Sequence, residues 1–161
     1  PNQVWTWDFI FDRTDKGSTL KMLTMLDEYS RRCLAIRVER QIQSEHVLFT
    51  LWQAMTTDGI PRYIRSDNGS EFIEQKIQAW LRENQIKTLY IDPGSPWQNG
   101  YIESFHSRFR DECLNREWLL NLREARVVIE DWRQHYNEER PHSRLGYLSP
   151  EGFLANQKVS P

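Results

Sequence analysis

The sequence predicts an α/β domain: a mixed five-stranded sheet, three antiparallel strands followed by two parallel ones, flanked by helices. Three features predict it. Strand-forming segments fill the first forty or so residues with only short polar connections, which suits an antiparallel meander. After Ser44 the apolar residues recur at helical spacing. From there helices and strands alternate as far as Ile91, which implies parallel crossovers.

The elements follow in order. Trp5 to Arg13 is rich in aromatic residues and reads as a strand. Ser18 to Leu26 and Cys33 to Arg40 read as two more, with the polar turn Asp27 to Arg32 between them. Ser44 is the expected N-cap of a helix carrying Val47, Leu48, Leu51, Trp52 and Met55 on one face, stopped by Asp58-Gly59 and Pro61. Tyr63 to Ser66 is a short strand running into Asp67-Asn68-Gly69. A helix is expected from Ser70, with Phe72, Ile73, Ile77, Trp80 and Leu81 inward, then a fifth strand from Thr88 to Ile91. Asp92 to Gly100 is dense in Gly and Pro and reads as a loop, mobile in the absence of a ligand. Helices are expected over Tyr101 to Leu114 and Leu122 to Tyr136, and the tail, about 137–161, reads as irregular.

The chain of 161 residues is one domain's worth, with no repeat or linker, and spans 1–161 as a single unit. With 39% hydrophobic and 27% charged residues it is globular rather than disordered. No run approaches the ~20 apolar residues of a bilayer span. Cys33 and Cys113 stand far apart with no C-x-x-C pair, which predicts neither a disulfide framework nor a zinc knuckle and fits the reducing cytoplasm. Pro1-Asn2-Gln3 is neither a signal peptide nor a natural start, so the chain is expected to be cut from something longer. The net charge of −2 argues against gripping nucleic acid by bulk charge. Yet there are 16 Arg against 5 Lys, and the planar guanidinium fork suits phosphate.

Three carboxylates stand out by position. Asp8 lies mid-strand among Trp7, Phe9 and Ile10; Asp67 ends a strand; Glu103 opens the helix after the Gly/Pro loop. A carboxylate in an apolar strand is costly unless it is paired or holds a metal, and strand ends are where open α/β sheets place ligands. Any one of the three has an ordinary explanation as a cap or turn residue; three that a sheet can gather are harder to dismiss. Carboxylates without soft ligands favour Mg²⁺ or Mn²⁺. Two such ions ~3.5–4 Å apart stabilise the attacking and leaving oxygens of an in-line phosphoryl transfer.

The stretches Trp5-Thr6-Trp7-Asp8-Phe9, Ser66 to Phe72 and Pro93 to Ser104 resemble the three catalytic blocks of the retroviral-type integrase core, most nearly that of bacterial insertion-sequence transposases. Between Asp67 and Glu103 stand 35 residues, the D,D-35-E spacing of that family. The tail segments Tyr136-Asn137, Arg140-Pro141-His142, Leu145-Gly146-Tyr147 and Ser149-Pro150 also resemble those transposases.

The resemblance implies a ribonuclease-H-like fold and metal-dependent DNA cleavage and strand transfer by a 3′-hydroxyl. It implies Asp8, Asp67 and Glu103 as catalytic, metal-binding residues, two Mg²⁺ or Mn²⁺ ions, DNA as partner and a homo-oligomeric active complex. Asn68, Gln98, Asn99, His106 and Arg110 are the expected DNA contacts, Arg110 lying two helical turns beyond Glu103. Ser107 stands where the retroviral branch carries a lysine. The zinc-binding or helix-turn-helix region that precedes such cores is not in this sequence, so the chain is expected to carry chemistry with little sequence recognition.

Other readings are weaker. Glu103-x-x-His106 is the unit of di-iron bundles, but its only other copy, Glu139-x-x-His142, is broken by Pro141. Asp12 and Asp27 read as ordinary strand and turn residues, and Glu71 as a helix-dipole partner. A hydrolytic nuclease without strand transfer, or a non-catalytic DNA-binding module, would share the fold; substitution at any of the three carboxylates would have favoured the latter.

Overall fold

A computed structural model describes residues 2–67, 74–92, 94, 96–116 and 119–159. The strands are β1 Val4–Arg13, β2 Thr19–Asp27, β3 Cys33–Glu39, β4 Tyr63–Ser66 and β5 Lys87–Tyr90. The sheet order is β3-β2-β1-β4-β5. β1 pairs antiparallel with β2, and β2 with β3, whereas β1–β4 and β4–β5 are parallel. This is the mixed sheet the sequence predicts, with β1 at its centre.

Helices cover both faces. The helices are α1 Ser44–Asp58, α2 Gln75–Glu83, α3 Gly100–Phe109, α4 Leu122–Glu138 and α5 Pro150–Val159. Alternation along β1 divides the core in two. Trp5 and Trp7 pack with Val47 and Leu51 of α1 and Ile77 and Leu81 of α2. Ile10, with Met22 and Leu26 of β2, packs against Phe105 and Phe109 of α3 and Ile129, Trp132 and Tyr136 of α4. Cys33 and Cys113 are buried and not joined in a disulfide.

Several expectations need correction. The N-cap of α1 is Gln43, not Ser44: Gln43 forms a capping box with His46, and Ser44 is already helical and buried. Trp52, expected on the inner face of α1, is exposed because Leu51 and Ala54 take the sheet-facing positions. The second helix begins at Gln75, since Glu74 is extended with ψ 140°. Ser70, Glu71, Phe72 and Ile73 lie outside the described residues. The Gly/Pro segment contains a 3-10 turn, Pro96–Asn99, that leads straight into α3. α3 ends in a π-helical turn, Arg110–Leu114, whose wider pitch brings both Cys113 and Leu114 inward.

The tail holds a helix where irregular chain is expected. The Ser149 hydroxyl accepts from the Gly152 N–H at 3.1 Å, Pro150 occupies the first helical position and Glu151 follows. That Ser-Pro-Glu start signal is present in the sequence. The apolar periodicity that would normally accompany it is not, because Phe153, Leu154 and Ala155 run consecutively instead of recurring at helical spacing.

Candidate active site

Alternation places Asp8 on the same side of β1 as Ile10, toward α3. The β1–β4 ladder runs from Val4–Tyr63 to Thr6–Arg65 and stops. Continued by two residues, that register sets Asp67, the first residue beyond β4, beside Asp8. Glu103 lies in the first turn of α3, whose Ile102, Phe105 and Phe109 are buried against the sheet, leaving Glu103 on the exposed side.

Asp8 and Asp67 are half-buried. The Asp8 carboxylate accepts the Phe9 N–H at 2.8 Å and a hydrogen bond from the Asn99 side chain. Burial is the main force pushing its pKa up, and the negative charges of Asp67 and Glu103 push the same way. Against the hydrogen bonds from Phe9 and Asn99, they carry it to about 6. Asp8 therefore feels both of the other carboxylates, and the three make an anionic locus that no cation of the protein neutralises enough to restore Asp8 to its usual range.

Among the described residues, no three acidic, His or Cys side chains are grouped closely enough to hold a metal ion as they stand. The chemistry of Asp8, Asp67 and Glu103 is still that of a hard divalent ion's ligands: all donors are carboxylate oxygens, and the charges of Asp67 and Glu103 act unfavourably on ionised Asp8. Beside them the buried Asn99 Oδ1 has no hydrogen-bond partner.

Beneath Asp8 lies a support that sequence reasoning missed. Thr24 is opposite Asp8 in the β1–β2 register, is buried, and donates its hydroxyl to the Asp8 backbone carbonyl at 3.1 Å. His106 Nε2 meets the same hydroxyl oxygen at 2.7 Å. With the hydroxyl proton committed to the carbonyl, Nε2 carries the imidazole hydrogen. Burial and then the Arg110 charge push the His106 pKa down to about 4, so the ring is neutral. His106, expected on the DNA-facing surface, is instead half-buried and turned to the sheet. The available signal was Thr24 itself, a hydroxyl inside the apolar run Leu23 to Leu26.

The other expected contacts lie nearby. Gln98 accepts the Asp92 N–H at 3.0 Å, closing the turn that precedes α3. Arg110 donates to the Phe11 carbonyl at 2.9 Å and so ties the end of α3 to β1; Glu117, a candidate acid partner, lies outside the described residues. Asn68 lies outside the described residues.

Two family models, both described as an integrase core domain, match residues 1–96 and 84–150. A 39.2 kDa protein of insertion element IS476 from Xanthomonas euvesicatoria is 44% identical over 159 residues, covering 99% of this chain and 46% of its own length. Transposase InsF for insertion sequence IS3A of Escherichia coli is 27% identical over 158 residues, covering 95% of this chain and 54% of its own length. The chain thus spans about half the length of the curated relatives it matches. Among solved structures, the HTLV-2 integrase catalytic core domain in complex with magnesium superposes with a TM-score of 0.72 at 19% identity, covering 95% of this chain and 97% of that one. That likeness makes the fold ribonuclease-H-like, as the sheet order and flanking helices require. On the family match, the fold and the relatives together, the chain belongs to the retroviral-type integrase core family, close to the bacterial insertion-sequence transposases.

Proposed function

We propose that this chain is the catalytic core of a DNA transposase, cutting a phosphodiester and joining the freed 3′-hydroxyl to a second DNA segment. The observation that carries the reading is the placement of three acids on this fold: Asp8 on the central strand, Asp67 in register beside it just beyond β4, and Glu103 in the first turn of α3, with the charges of Asp67 and Glu103 both acting on Asp8. Three acids drawn from a central strand, the end of its neighbour and a helix start converge electrostatically on one place. Catalytic sites are where such crowding is found.

In this reading Asp8 and Asp67 would hold the divalent ions directly and Glu103 would complete the set. Bound Mg²⁺ or Mn²⁺ would supply charge stabilisation to the attacking and leaving oxygens. The chain's own residues do the rest. Thr24 and His106 fix the backbone of Asp8 from below. Asn99 holds the Asp8 carboxylate by its side-chain amide. Arg110, at the far end of α3, is placed to meet a phosphate.

The family relation supports polynucleotidyl transfer, and the magnesium in the HTLV-2 core supports the choice of ion. The active complex is a homo-oligomer on DNA in this reading. The relatives and the reducing environment suited to two free thiols support action in the bacterial cytoplasm. No helix among the described residues is long and apolar enough to cross a membrane.

The test is incubation of the purified chain with labelled oligonucleotide duplexes and Mn²⁺. Products longer than the substrate, lost in Asp8→Asn, Asp67→Asn and Glu103→Gln, are expected. Cut products without joined ones would make the chain a hydrolytic nuclease. Full activity in any of the three variants, or in EDTA, would overturn the assignment.

A further inference from the structure

On the flank of α3 away from Asp8 is a cavity of about 410 Å³ that the catalytic reading leaves unused. Its size lies in the range of small-molecule sites, ~300–1,000 Å³. Three arginines line it: Arg31 from the β2–β3 turn, Arg108 from α3 and Arg144 from the tail. Among the described residues, none of the three has a carboxylate partner. Arg31 holds a left-handed backbone, φ 63°, and its guanidinium lies 3.8 Å from the centre of the Tyr101 ring. A non-glycine residue in that region is held there by its surroundings, and functional sites are where such residues collect.

Two further features point to a ligand. His142 lines the cavity with only 4% of its surface exposed, and its Nε2 has no hydrogen-bond partner. A buried polar atom of this kind needs an explanation, and a bound group supplies one. Burial first, and then the charges of Arg140, Arg108 and Arg31, push the His142 pKa down to about 4, so the neutral ring can donate or accept. At the rim stand Trp97, 73% exposed, and Tyr101, 42% exposed. Arg31 also donates to the Glu28 carbonyl and covers one face of Tyr101, which leaves Trp97 as the open ring beside arginines that have no carboxylate partner among the described residues, a stacking platform next to a phosphate site.

We propose that this cavity receives an unpaired nucleotide of a DNA strand, its phosphate on Arg31, Arg108 and Arg144 and its base between Trp97 and the His142 Nε2. The proposal rests on the reading of the chain as acting on DNA, and adds to it a second point of contact. The connectivity favours a strand over a free nucleotide. Trp97 shares its 3-10 turn with Asn99, the partner of Asp8, and Ser104 of the cavity adjoins Glu103. In the proposal a strand whose phosphodiester lies at the carboxylates continues past the 3-10 turn to the cavity mouth. An unstacked base is its fitting occupant, because a base still stacked in a duplex offers no free face to Trp97.

The test is fluorescence anisotropy with the purified chain, using a short blunt duplex and the same duplex ending in a few unpaired nucleotides. Wild type should bind the unpaired end more tightly. Trp97→Ala should lower that affinity about tenfold. Arg108→Ala and Arg144→Ala should each lower the salt slope by roughly 0.7. All three should leave blunt-duplex binding unchanged, and Trp97→Phe should restore most of the loss. Trp97 and Arg144 are exposed, so unchanged melting is expected for those variants. Equal binding of the two duplexes, or equal loss of both in the variants, would overturn the cavity assignment and leave the transposase reading standing. Competition by a deoxynucleoside monophosphate as strong as by the strand would make the ligand a free nucleotide and also overturn it. Failure to bind any DNA would remove both readings.

Discussion

Asp8 is a residue kept at the expense of the fold. Its pKa is about 6 in the folded chain against an ordinary 3.8, so the folded state holds the proton more tightly than the unfolded one. That difference favours folding fully below about pH 4 and is lost as the pH rises through 6. At pH 8 the ionised carboxylate costs about 1–2 kcal/mol, once its partial exposure to solvent is allowed for. Asp8→Asn should therefore melt higher than wild type at pH 8 without metal and about equally at pH 4, while losing all cutting and joining. Adding Mg²⁺ should raise the wild-type melting temperature at pH 8 and leave the variant's unmoved. The two buried histidines work in the opposite sense. His106 and His142 are both pushed down to about 4, so their protonation opposes folding as the pH falls from about 6.5 to 4. His106→Ala should lose about 1–3 kcal/mol at pH 7, with the Thr24 hydroxyl left short of a partner, and should lose part of that acid sensitivity. Thermal melts across pH 4 to 8 check all of these. The three acids were legible in the sequence because each sits where a sheet can gather it. The role of His106 was not, since helical spacing alone does not say which face of α3 meets β2.

Elements meet here through a few polar ties. Asn137 near the end of α4 accepts the Cys33 N–H at 2.7 Å and donates to the Cys33 carbonyl at 2.8 Å. It stands in for a strand at the beginning of β3, where the β2–β3 register shifts between Met25 and Leu26. Asn137→Ala leaves the buried Cys33 N–H unpaired, while the Cys33 carbonyl keeps the Arg133 guanidinium at 2.9 Å, and should cost about 1–3 kcal/mol, read by chemical denaturation. Arg110 is a second tie, and a dual one. Arg110→Ala should lower stability by about 1 kcal/mol through the lost Phe11 contact and also weaken DNA binding. Loss of stability with unchanged DNA affinity would confine it to the fold. Strands and long helices were legible because their periods are regular over many residues. The 3-10 turn at Pro96–Asn99, the π turn and α5 were not. The first two depend on how α3 seats against the sheet, and α5 is a short helix without apolar periodicity, revealed only by its start signal.

The molecule as a whole carries a net charge of −2, so no long-range field draws DNA to it. Attraction must come from local arginines within about a Debye length, ~8 Å at physiological salt. Duplex binding by this chain alone should be weak, at or above ~10⁻⁴–10⁻⁶ M, with little preference between an element's end and a scrambled sequence. A competition assay measures it, and a preference of about a hundredfold would show that the core itself reads bases. The mixed sheet, three antiparallel strands and then two parallel, followed from the change of period along the chain, because antiparallel neighbours need only turns whereas parallel ones need crossovers. β1 runs for ten residues, but its ladder with β4 joins only Val4 to Thr6 among the described residues, so the part of β1 that carries Asp8 lacks β4 as a bonded neighbour. In the proposed reading that break in the ladder is what lets a phosphodiester reach Asp8 and Asp67 from the sheet edge, and a longer β4 would exchange that access for stability.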